Sequence, residues 1–174
     1  MSVIEPRVLF VTGAPGSGKT AVAALVAARL PNFIVLDMDV LLEPASCLAG
    51  VDLRRFEAAS MWPAYNDLWV RLAAMLARAR PVLLLGPLGP DEVDETRSRH
   101  MLAAVEWALL DCSDDTRRER LTGRGYDASA IANAIADAGA KRSLGLYAIG
   151  TDRVTPDQTA TEVAKWATDN RGSR

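Results

Sequence analysis

The chain has 174 residues, 49% of them hydrophobic and 24% charged, which fits one globular domain and excludes a disordered or fibrous protein. Basic side chains number 20 and acidic ones 22, a net charge of −2 that argues against a surface built wholly for nucleic acid. Two cysteines, Cys47 and Cys112, and one histidine, His100, exclude a disulfide scaffold, a zinc finger and a haem attachment. The longest apolar run, Ala21–Ala28, is far short of the ~18 residues that cross a membrane. With no basic n-region ahead of an apolar stretch at the N-terminus, the expectation is a reduced, cytoplasmic protein with no membrane partner.

In chain order, five short apolar runs read as strands: Val8–Val11, Phe33–Leu36, Val82–Leu85, Trp107–Leu110 and Leu146–Ile149. Runs that are apolar throughout suit strands buried on both faces. Between them lie helix-like stretches, many rich in alanine, over Lys19–Leu30, Tyr65–Arg78, Glu92–Ala103, Asp115–Thr122, Ala128–Ala138 and Pro156–Thr168. Thr155 stands ready to cap the last of these, with Pro156 at its first position. Strand and helix in alternation predict an α/β three-layer sandwich around a five-stranded parallel sheet, and residues 1–174 are expected to form a single domain.

The first strand runs into Gly13-Ala14-Pro15-Gly16-Ser17-Gly18-Lys19-Thr20, a full G-x-x-x-x-G-K-S/T phosphate loop with a strand before it and a helix after it. Glycines let backbone N–H groups turn inward around phosphate oxygens, and the helix beginning near Gly18 aims its positive dipole end at the same anion. Lys19 is expected to reach the β- and γ-phosphates, and the Thr20 hydroxyl to ligate Mg²⁺. The chain has no Asn-Lys-x-Asp guanine signature, which counts against a GTPase, and it is short for a motor ATPase.

The second strand runs into Asp37-Met38-Asp39. If the strand persists, both carboxylates project to one side at the carboxyl edge of the sheet, where ligands of open α/β sheets bind. There they could orient an acceptor hydroxyl and help hold Mg²⁺. Alternatively, Asp37 caps a turn and Asp39 caps a helix.

The phosphate loop followed about twenty residues later by a strand ending Asp-x-Asp resembles the small P-loop kinases of the adenylate-kinase-like superfamily. The shikimate and gluconate kinases and the chloramphenicol phosphotransferase group have similar patterns. The resemblance implies ATP and Mg²⁺ as cofactors, Asp39 at the acceptor hydroxyl and Asp37 near the metal. One departure stands out: the third strand ends Leu84-Leu85-Gly86-Pro87, without the carboxylate usual there, so more of the metal's charge falls to Asp37. The resemblance also implies a lid over about residues 114–128, where Arg120-Leu121-Thr122-Gly123-Arg124 is similar to the R-L-x-x-R of these kinases. Arg120 and Arg124 would then close on ATP and neutralise charge on the transferred phosphoryl group.

Arg117, Arg120 and Arg124 fall at i, i+3, i+7 on one helical face. A solvated face, balanced by Asp114, Asp115 and Glu119, is the alternative, equally open for Arg117 and Arg118. Lys141 and Arg142 follow the next helix and either face phosphate or form a charge pair at a helix C-terminus. The loop Gly150–Pro156 suits the adenine contact of adenylate-kinase-like proteins or an ordinary strand–helix turn.

The insertion of about residues 43–80 is expected to hold the acceptor and carries Arg54, Arg55, Trp62, Tyr65, Asn66 and Trp69. Trp62, Tyr65 and Trp69 make one helical stripe that serves either the core or a planar or sugar-like acceptor. Arg97, Arg99 and His100 follow the third strand, near the expected pocket mouth. Together these features point to a kinase for a small metabolite, nucleoside, nucleotide or antibiotic, acting as a monomer or homodimer. A nucleotide-binding module or slow NTPase that signals to a protein partner is the alternative. A polynucleotide 5′-kinase is disfavoured by the acidic balance.

Overall fold

A parallel strand covered on both faces needs apolar side chains in both of its pleats, and β1 (Arg7–Thr12, RVLFVT) supplies them. It runs up the middle of a five-stranded sheet of order β2-β3-β1-β4-β5 in which every pairing is parallel. The other strands are β2 (Ile34–Asp37), β3 (Val82–Gly86), β4 (Ala104–Asp111) and β5 (Tyr147–Gly150). The computed structural model describes residues 7–54, 56–93 and 104–169.

Helices cover both faces of the sheet. On one side Val8, Phe10, Val82 and Leu84 meet Tyr65, Trp69, Val70 and Ala73 of α3 (Trp62–Leu76). On the other, Leu9, Val11, Leu83 and Leu85 meet Val22 and Val26 of α1 (Lys19–Arg29) and Val163 and Trp166 of α6 (Pro156–Asp169). Arg29 ties α1 to α6 by a 2.5 Å ion pair with Asp157. Between β4 and β5, α4 (Asp114–Thr122) and α5 (Ala128–Arg142) pack on each other through Leu121, Ile131 and Ala134. The three-layer parallel α/β architecture read from the sequence is the one observed.

Several elements differ from the expected ones. A 3₁₀ turn (Met38–Leu41) and α2 (Leu42–Ala49) follow β2 directly, and a second 3₁₀ turn (Phe56–Met61) precedes α3, whose second residue is Pro63. β4 begins three residues earlier than its apolar run, because Glu106 interrupts the pattern while Trp107 stacks on Phe10 at 4.6 Å. α5 extends to Arg142, so Lys141 and Arg142 form its last turn rather than following it. The helix expected over 92–103 begins with a turn at 90–93, and the rest lies outside the described residues. No helix among the described residues is long and apolar enough to cross a membrane.

At the end of β3, Gly86 lies directly against Met38. A Cβ on Gly86 would stand 2.1 Å from Met38 Sδ and 2.8 Å from its Cγ, and Met38 is buried beneath the 3₁₀ turn. Gly86→Ala should therefore overpack this point and destabilise the fold by about 1–3 kcal/mol, read as a lower urea midpoint. An unchanged midpoint would mean that Met38 repacks freely.

Candidate functional site

The phosphate loop joins β1 to α1 at the carboxyl edge of the sheet. Gly16 and Gly18 take φ of +83° and +100°, a region open to glycine and strained for other residues. A Cβ on Gly13 would lie 2.6 Å from the Leu110 carbonyl oxygen of β4, so the loop is seated against the neighbouring strand with no room for a side chain. Lys19 lies across the loop and donates to the carbonyls of Gly13 and, at 3.3 Å, Ala14. Desolvation pushes its ammonium down to about 8, against the pull of Asp39, with Lys141 lowering it further.

Asp39 does not continue the strand. β2 ends at Asp37, whose carboxylate accepts the Asp39 N–H at 3.0 Å and caps the 3₁₀ turn, so the shared pleat expected for the two carboxylates does not form. The turn brings Asp39 to Thr20, whose hydroxyl donates to Asp39 Oδ2 at 3.0 Å. The Thr20 hydroxyl thus has Asp39, rather than Asp37, beside it. Burial raises Asp37, opposed by the backbone N–H of Asp39. Tyr65 secures the same turn by donating its phenol to the Met38 carbonyl.

The arginine segment divides. Arg118 is an exposed residue paired with Asp115 at 2.8 Å, the solvated-face outcome. Arg117, in contrast, is fully buried and bonded to Asp111 and to the Pro15 carbonyl. Its inward direction had a signal in the sequence: Leu121, four residues on, marks the core face of α4. Arg120 donates to Gly16 O at 3.0 Å and to Thr151 O at 2.7 Å, joining the phosphate loop to the loop after β5. Arg124 is exposed beyond the end of α4 and lines a hollow with Arg120, Thr151, Val154 and Pro156 next to the start of α1. Asp152 pins the start of α4 by accepting from Ser113 N at 2.8 Å; hydrogen bonds, first that of Thr116, hold its carboxyl below the usual range.

A cavity of about 540 Å³ brings most of these residues together. Lys19, Thr20 and Asp39 line it together with Leu42 and with Arg54, Trp62 and Asn66 of the segment between β2 and β3; Arg124, Tyr126, Asp137 and Lys141, from the segment between β4 and β5, complete the lining. The aromatic stripe splits: Trp62 faces the cavity, whereas Tyr65 and Trp69 belong to the core. Lys141 shares the buried face of α5 with Ile131, Ala134 and Ala138 and donates to Pro87 O at 2.7 Å. Arg142 instead turns outward to Asp111 and Asp114. Arg55, Arg97, Arg99 and His100 lie outside the described residues.

The donor set fits a nucleotide with Mg²⁺. A desolvated ammonium on a glycine-rich loop at a helix N-terminus suits an anion. A hydroxyl beside a carboxylate offers hard oxygens of the kind Mg²⁺ takes when phosphates complete its shell. Among the described residues no cluster of three Asp, Glu, His or Cys side chains forms a metal cage of its own.

A βαβ sheet with a phosphate loop at its carboxyl edge is a P-loop nucleotide-binding fold. A family model described as AAA domain matches residues 9–140, and the chain belongs to that family. No curated protein matches it in sequence. Among solved structures it is similar to a sugar kinase from Janibacter sp. HTCC2649, at 23% identity over 93% of this chain and 94% of that one, TM-score 0.63. It is similar to shikimate kinase from Acinetobacter baumannii in complex with shikimate, at 14% identity over 99% and 98%, TM-score 0.67. It is also similar to the Mycobacterium tuberculosis APS kinase in complex with AMPPNP and APS, at 18% identity over 94% and 98%, TM-score 0.59. The fold is the one these small-molecule kinases share.

Lys19 supplies a pH test. With the free ammonium near 8, a bound phosphate would raise it again by favouring the charged form. Nucleotide affinity should be level below about pH 8 and fall above it, and binding above about pH 8 should take up protons. Calorimetry in buffers of differing ionisation enthalpy reads the uptake; a value of zero would remove Lys19 from the phosphate site.

Proposed function

We propose that the chain is a single-domain ATP- and Mg²⁺-dependent kinase that moves the γ-phosphoryl group onto a small-molecule acceptor held by the insertion. One observation carries this reading: Lys19, Thr20 and Asp39 open into the same cavity as Leu42, Arg54, Trp62 and Asn66. A phosphate donor and an acceptor could meet there with water largely displaced. The APS kinase neighbour, whose structure contains AMPPNP and APS, and the shikimate-bound neighbour support a nucleotide on the loop and a small molecule beside it.

The residues divide the work as follows. Backbone N–H groups of the loop, other than at Pro15, which has none, and the Lys19 ammonium bind the phosphates. Thr20 and Asp39 would hold Mg²⁺, whose charge would offset that of the phosphates. Asp39, lining the cavity, also orients the acceptor hydroxyl and takes its proton. Asp37 holds Asp39 through its backbone N–H, and we assign it that task ahead of direct metal ligation. Arg124, exposed at the cavity mouth, is free to swing onto the transferred group. Arg120, already committed to Gly16 and Thr151, fixes the nucleotide side, and the hollow by Thr151 and Pro156 is assigned to the base.

An ADP-release screen across sugars, shikimate-like acids, nucleosides, nucleotides and antibiotics tests the activity. ATP turnover that no acceptor stimulates would favour the nucleotide-binding module instead. With an acceptor in hand, Lys19→Ala should abolish turnover while the protein stays folded; unchanged turnover would sink the kinase reading. Arg124→Ala should lower kcat by about 10²-fold or more, and wild-type turnover would make this arginine a solvated one.

Asp39→Asn should lower kcat by about 10²–10⁴-fold and weaken the Mg²⁺ dependence as well. Asp37→Asn should act mildly and equally at low and high Mg²⁺. If added Mg²⁺ restores Asp37→Asn alone, the metal belongs to Asp37.

A further inference from the structure

A phosphate loop turns its N–H groups inward, and this geometry directs carbonyl oxygens outward, where they too need partners. Three successive carbonyls are met in this way by side chains. Arg117 Nη1 donates to Pro15 O at 2.5 Å, Arg120 Nη1 to Gly16 O at 3.0 Å, and Thr151 Oγ1 to Ser17 O at 3.1 Å. Arg120 and Thr151 also line the hollow beside α1. Arg117 does not: it is 0% exposed and cannot touch a nucleotide.

The placement of Arg117 is costly. A guanidinium buried this deeply must be fully paired to break even, yet its Nε has no partner. Its neighbour on the same face of α4 is Leu121, and an apolar side chain at 117 would extend that packing without a desolvated charge. Stability alone is poorly served by an arginine here. Its remaining bonds all serve position: Nη2 donates to Asp111 Oδ1 at 2.5 Å and to Cys112 O at 3.4 Å. Asp111 is in turn gripped by Arg142 at 2.6 Å. A Cβ on Gly16 would come within 3.2 Å of Arg117 Cγ, so the side chain lies directly behind the loop.

We propose that Arg117 is a positioning residue for the phosphate loop: anchored by Asp111, it aims the Pro15–Gly16 segment so that the loop's N–H groups converge on the β-phosphate. This rests on the reading of the loop as a nucleotide site. Because Arg142 remains on Asp111 when Arg117 is removed, the variant leaves no unpaired carboxylate.

The test measures Kd for ATP, ADP and adenosine, together with the thermal midpoint, in wild type and Arg117→Met. Expected is a rise of about tenfold or more in Kd for ATP and ADP, an unchanged Kd for adenosine, which carries no phosphate, and a midpoint at or above that of wild type. ATP and ADP affinities within twofold of wild type would overturn the proposal. So would an equal loss for all three ligands with a lowered midpoint, the mark of a merely structural residue. Should Arg117→Met fail to fold, Asp111→Asn is read in its place, and the same phosphate-selective loss is expected. A wild type that binds no ATP would overturn both the nucleotide reading and this one; a wild type that binds ATP beside a folded variant that binds it equally overturns this one alone.

Discussion

Parallel strands cannot be joined by hairpins; each needs a crossover, and every crossover leaves from the same edge of the sheet. In this chain that constraint gathers the ends of β1, β2, β3 and β4 at one rim: Thr12, Asp37, Gly86 and Asp111. Everything chemical follows from that rim. The phosphate loop leaves β1, the Asp37–Asp39 turn leaves β2, the Met38–Gly86 contact ties β2's turn to β3, and Asp111 anchors Arg117 from β4. The register that sets Phe10 beside Leu84 and Trp107 therefore also sets the height at which these groups meet.

Charges collected at a rim backed by a dry sheet interact strongly, and their arrangement limits the cost. The Lys19 ammonium is held down by desolvation and partly restored by Asp39. Lys141, on the buried face of α5, opposes it and is steadied by Asp137 at 3.4 Å. The balance leaves the site short of negative charge, the condition a polyphosphate relieves. Behind the loop the signs alternate, Arg142 to Asp111 to Arg117, so that no buried ion lacks an opposite neighbour.

The strands, the phosphate loop and the general plan were legible in the sequence because each rests on local rules: apolar runs, glycine spacing, helix dipole. What was not legible depends on which way a side chain turns. Asp39 could not be placed from the pleat of β2, because the side chain of Asp37 ends that strand by bonding the next turn. Trp62, Tyr65 and Trp69 share a periodicity yet serve two purposes, since a stripe wider than the core contact reaches the cavity at its first residue. Arg117 was equally open to either account; only its spacing from Leu121 distinguishes an inward arginine from a solvated one.

The aromatic core and the candidate chemistry are for the same reason not separable. Tyr65 is buried against Trp62 at 5.5 Å and Trp69 at 6.3 Å, edge to face in both pairs, and burial lifts its phenol, keeping it a donor. That donor holds the Met38 carbonyl, and Met38 stands between the two aspartates. One residue along α3, Asn66 donates to Glu92 at 3.0 Å and lines the cavity wall with Trp62. A rotation of α3 large enough to reshape that wall would pull on the turn that presents Asp39 to Thr20. The shape of that cavity wall and the placement of Asp39 beside Thr20 are thus linked through one helix, so that exchanging single residues of the wall without regard to Tyr65 would also disturb the turn.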